Sequence, residues 1–105
     1  MNAIHDILNT PQAERPIALF IVFRGGVPAA ITLLSDDPAL VQWLTGLSRL
    51  STILLGCGTT ITDLANGMET VIDPRSGRLD GTTHRFIPSL VAEIFLKLKA
   101  MEASA

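Results

Sequence analysis

The side chains of this sequence that could do chemistry are one cysteine, two histidines and a short run of arginines. Cys57 stands between two glycines in LLGCGTT, at the end of an apolar run. A nucleophilic thiol needs a helix N-terminus, a cation or an imidazole beside it. The nearest charge in sequence is Asp63, an anion, and His5 and His84 can reach Cys57 only through the fold. The sequence therefore favours Cys57 as a small packed residue at the end of a buried strand. Its flanking glycines do not make a phosphate cradle. No lysine occurs before Lys97, and neither the Walker spacing nor the third glycine of a dinucleotide loop is present.

The other candidate is the polar stretch DPRSGRLDGTTHRF, residues 73 to 86. Arg75, Arg78, His84 and Arg85 lie in it, and a guanidinium offers a planar fork of donors to a carboxylate or phosphate. These four are the expected partner- or anion-binding residues. Asp73 and Asp80 offset part of their charge, and Asp-Pro and Asp-Gly steps also serve as turns. Asp73, Asp80 and His84 match no structural zinc spacing, so neither a metal nor a cofactor is expected, and no catalytic set stands out.

These residues must be held by one small core. The chain has 105 residues, within the usual range of a single domain. A formal charge of -2 and a pI near 5.5 give no attraction for phosphate backbones or anionic lipid, and nucleic acid is not an expected partner. Charged residues are 17% against about 25% in an average soluble domain. So few charges on so much surface imply that another chain covers part of it, most simply a second copy in a homodimer. The single cysteine cannot form an internal disulfide, and the first fifteen residues lack the apolar core of a secretion signal, so a cytoplasmic location is expected. The apolar segment 17 to 34 carries Arg24, Gly25, Gly26 and Pro28 at its centre, which argues against a membrane span.

The elements follow from periodicity and punctuation. Ile4, Ile7 and Leu8 suggest a short N-terminal helix over residues 3 to 9. Residues 17 to 34 read as a hairpin about Gly25-Gly26, with strands apolar enough to be buried on both faces. Ser35, Asp36 or Asp37 caps a helix over about 38 to 49 that contains Trp43, a core or interface residue. Residues 51 to 57 fit a third strand or a continued helix, with Gly56 and Gly58 marking an end near Cys57. ITDLANGMETVID reads as a second hairpin about Asn66-Gly67, with Ile61, Leu64, Met68 and Val71 as candidates for its inward positions, and residues 73 to 86 as a loop or irregular hairpin. From Pro88 a helix carries Leu90, Val91, Ile94, Phe95, Leu98 and Met101 on one face, with Ala92 and Leu96 widening the stripe into an expected interface.

The resulting expectation is a single α+β domain over residues 1 to 105. It has a mainly antiparallel sheet of about 4–5 strands, in two hairpins, with two longer helices packed on one face and a short N-terminal helix. Its expected function is that of a homodimeric, non-enzymatic protein-protein interaction module, with adaptor, inhibitor or immunity-type protein, or accessory regulator as candidate roles. The alternative is a small ligand-binding domain or thiol-dependent enzyme with its site near Cys57 and the Arg75 to Arg85 loop.

Overall fold

A computed structural model describes residues 2–73 and 89–105, together with the backbone of residues 78–79 and 86–87. The fold is α+β. Three strands, β1 (Asn2–Leu8), β2 (Ile17–Arg24) and β3 (Val27–Leu34), form an antiparallel sheet in that order. Helices α1 (Pro38–Gly56) and α2 (Ile61–Met68) follow. A two-residue antiparallel pair, β4 (Arg78–Leu79) with β5 (Phe86–Ile87), precedes α3 (Leu90–Ala103).

The hairpin about Gly25-Gly26 is present as the sequence predicts. Both glycines have positive φ, 60° and 79°, as a two-residue turn between twisted strands requires. Two residue pairs from the turn the register steps from Phe23 opposite Pro28 to Val22 opposite Ala30, leaving Ala29 as the extra residue of a bulge. Burial alternates along β2: Ile17, Leu19 and Ile21 are buried, whereas Ala18, Phe20 and Val22 are half-buried. The strands are thus covered fully on one face only. Against that face lie Ile94, Phe95 and Leu98 of α3, and α2 packs in turn on α3 through Ile61, Leu64 and Ala65.

The long helix α1 holds the open edge of β3. Ser48 Oγ accepts the Leu33 N–H at 2.8 Å; Thr52 Oγ1 accepts the Ile31 N–H at 3.1 Å and donates to the Ile31 carbonyl at 3.2 Å. Two residues of strand advance about 6.6–6.8 Å and four residues of helix about 6.0 Å, so hydroxyls at i and i+4 meet backbone groups at j+2 and j. Leu44, Ser51 and Leu55 on the adjoining helix surface are buried.

Several expectations are corrected. Where a helix over residues 3 to 9 is expected, Asn2–Leu8 form a strand: Ile4 and Leu8 share a face at period two as well as at period four, and β2 supplies the pairing partner. Ile7, grouped with them by the helical reading, is 44% exposed. Residues 61 to 68 are helix, not half of a hairpin. Thr60 caps α2 by accepting from the Asp63 N–H, and the Asp63 carboxylate accepts from the Thr60 N–H in a capping box that outweighs the Asn66-Gly67 turn signal. Of the inward positions assigned to that hairpin, Ile61 and Leu64 are buried on the helix, Met68 packs partly on the core, and Val71 is exposed. The sheet therefore has three strands, and residues 51 to 56 continue α1.

Replacing Thr52 with Val removes the hydroxyl that pairs both backbone groups of Ile31, and Ser48→Ala removes the acceptor for Leu33. Each variant should lose about 1 kcal/mol of stability in urea unfolding, because part-buried backbone groups lose their partners. Unchanged midpoints for both would show that the helix–edge contact is incidental.

Candidate functional site

The GCG stretch is a helix stop. Cys57 is the C-cap of α1, and Gly58 follows with φ of 96°. The Gly58 N–H donates to the Leu55 carbonyl and the Thr59 N–H to the Leu54 carbonyl, the two bonds of a Schellman motif. Positive φ at Gly58 is the conformational reason for a glycine there. Cys57 is exposed, so its expected place as a packed residue at a strand end is corrected. It also stands at the C-terminal end of its helix, whereas an activating helix would present its N-terminal end to the thiol.

Arg75, His84 and Arg85 lie outside the described residues, and Arg78 belongs to β4 with only its backbone described. The two α3 residues expected at an interface part company. Ala92 is buried within this chain, at 6% exposure, whereas Leu96 is half-buried. Ala92 packs inward because Ser89 caps α3 by accepting the Ala92 N–H at 3.1 Å, which places the first turn against the core.

Exposed large apolar side chains occur at Ile7, Val27, Leu34, Val71 and Ile72, and four more, Val41, Trp43, Leu50 and Ile53, gather on α1. Across its 19 residues Arg49 is the only charged side chain. Turned away from the core-facing Leu44 and Leu55 lie Trp43, Leu50 and Ile53, exposed by 38%, 56% and 61%. Ala39, Gly46 and Cys57 are exposed on the same side. An amphipathic helix on a surface normally turns charge outward, and a helix apolar all round is normally covered all round. Leu40, Val41, Leu44 and Leu47 carry the helical spacing within the expected span of 38 to 49, whereas the second stripe is complete only when residues 51 to 56 belong to the same helix. Beside it, a groove of about 480 Å³ runs between α1 and β3, lined chiefly by Ile31, Leu33, Leu34, Ile53 and the stem of Arg49. The Ser48 and Thr52 hydroxyls in its wall are occupied by the β3 backbone.

Two polar links fasten α3 to the sheet side. Thr10 Oγ1 donates to Glu93 Oε2 at 2.8 Å, and Lys97 Nζ lies 3.1 Å from Asp6 Oδ2. The Ile7 N–H holds the Asp6 carboxyl below its ordinary value of 3.8, and Lys97 lowers it further, against a weaker opposing effect of desolvation. His5, the described histidine, stacks on Phe20 with ring centroids 5.7 Å apart. Among the described residues no cluster of three metal-ligating side chains occurs, and no helix is long and apolar enough to cross a membrane. Comparison of the chain with protein-family models, curated proteins and solved structures finds no match.

Because the folded state lowers the Asp6 pKa, its contribution is present above the ordinary value and is lost as pH falls through the lowered one. In an NMR titration Asp6 should titrate below 3.8, and Lys97→Met should move the midpoint upward only part of the way, since the Ile7 bond persists. A variant midpoint equal to that of the parent would remove Lys97 from the account. Ala92→Asp should cost roughly 3 kcal/mol or more in thermal or urea unfolding, because it buries a charge without a partner. Leu96→Glu should cost markedly less; equal losses would show that the two positions are packed alike.

Proposed function

We propose that this chain is a non-enzymatic protein-protein interaction module that works as a homodimer. The observation that carries the reading is the outward side of α1, where Trp43, Leu50 and Ile53 are exposed on a helix with one charge. Tryptophan and large aliphatic side chains gathered on one face supply the apolar centre that protein interfaces require. The low overall charge, 17% of residues, agrees with a molecule whose surface is shared with another chain. The expected interface on α3 gives way to α1, since Ala92 is already used by the core. Adaptor, inhibitor and accessory-regulator roles are all compatible with such a module, and the Arg75 to Arg85 segment remains its proposed contact with a carboxylate- or phosphate-bearing partner.

Light scattering over a concentration series tests the reading. The expected mass is twice 11.2 kDa at micromolar concentration. Leu50→Glu and Ile53→Glu should each give the monomer mass while keeping the parent circular dichroism, because both positions are solvent-facing within one chain and such substitutions usually change folding stability by only about 0.5 kcal/mol. A parent protein that is monomeric at every concentration would overturn the proposal.

A further inference from the structure

The exposed stripe on α1 is Ala39, Trp43, Gly46, Leu50, Ile53 and Cys57, with spacings of four, three, four, three and four. At 100° per residue all six stay within about 40° of one line along the helix, the 3.5-residue repeat of a helix–helix seam. The stripe is also symmetric about Ser48: Gly46 and Leu50 are equidistant from it, as are Trp43 and Ile53, and Ala39 and Cys57. Resting on the homodimer reading, we infer that two copies of this chain pair through α1 and antiparallel α1 of the second copy, about a two-fold axis that crosses the stripe between Gly46 and Leu50.

The size of Gly46 fits that register. Across an antiparallel seam Leu50 meets Gly46 of the second copy, so the smallest residue of the stripe faces a large one, while Trp43 meets Ile53 and Ala39 meets Cys57. A parallel seam would set Gly46 against Gly46 and leave that gap unfilled. Gly46 is otherwise unexplained: a Cβ built there meets no atom within 4 Å, and the residue shows no positive φ. A mid-helix glycine lowers helix stability, and its own chain has no use for the space. Between two helices that space admits Leu50.

A 19-residue helix is about 28 Å long and about 10–12 Å wide, so the outlines of two such faces come to roughly 600 Å² in total, the scale of a concentration-dependent contact rather than of a permanent one. Leu40, Leu47 and Leu54, partly buried beside the seam, lie along one flank. Arg49 and Gln42 lie along the other, exposed to water. The two Arg49 side chains share that rim, where solvent and salt screen their repulsion.

The single native cysteine provides the test. In the antiparallel pair Cys57 of one copy lies about 27 Å from Cys57 of the other, nine residues either side of the axis at 1.5 Å each, but opposite position 39. A bifunctional thiol reagent that spans only neighbouring helices should therefore convert Ala39→Cys into covalent dimer, and leave both the parent protein and the Ala39→Cys, Cys57→Ser double variant uncoupled. Gly46→Leu provides a second measurement that does not depend on cysteine. It has open space in its own chain, so circular dichroism should be unchanged while the dimer dissociation constant rises at least tenfold.

Failure is separable from failure of the homodimer reading. A parent dimer that couples through its own Cys57 is parallel, and a parent dimer in which Ala39→Cys does not couple or Gly46→Leu binds as tightly uses another surface. Either result overturns the seam and leaves the homodimer. A parent protein that is monomeric throughout overturns both.

Discussion

The arrangement depends on two hydroxyl groups that act as a strand. β3 is an edge strand, and its outward N–H and C=O groups must be paired or solvated. Ser48 and Thr52 pair them from α1, and Ser48 Oγ also donates to the Leu44 carbonyl of its own helix. Because one helical turn nearly matches two strand residues, the contact fixes both the direction and the rotation of α1. Once Ser48 and Thr52 face the strand and Leu44 and Leu55 face the core, Trp43, Leu50 and Ile53 have only solvent to face.

Much of the chain was legible where chemistry is local. Gly25-Gly26 has no better use than a hairpin turn, Asp37 and Pro38 start a helix, and the α3 periodicity stands without help from elsewhere. The failures share a cause, which is that the deciding contact lies outside the window. Ile4 and Leu8 satisfy both periods, and only the presence of β2 beside them selects the strand. Asn66-Gly67 is a strong turn signal, yet the capping box at Thr60 and Asp63 and the burial of Ile61, Leu64 and Ala65 against α3 keep it helical. The box was readable as threonine and aspartate three apart.

The candidate surface was legible in kind rather than in place. Scarcity of charge pointed to a covered surface, but the breadth of the apolar stripe on α3 pointed to Ala92, which the core consumes. The informative residues straddle Gly46, and three of them, Leu50, Ile53 and Cys57, lie beyond the expected helix end near residue 49. A glycine inside a helix counts against that helix only if nothing outside the chain needs the room.

The hydroxyl pairing on β3 also bears on how this molecule could polymerise. A sheet with two open edges can add neighbours on both sides and grow without limit; a sheet with one open edge can add a single neighbour and then stops. Here the β3 side of the three-stranded sheet is closed by a helix, and its other side, the outer edge of β1, has no neighbouring strand and has its Ile7 N–H already taken by the Asp6 carboxylate. Ser48 and Thr52 thereby make each copy a chain terminator for strand-by-strand assembly, and any fibre would first have to peel α1 away.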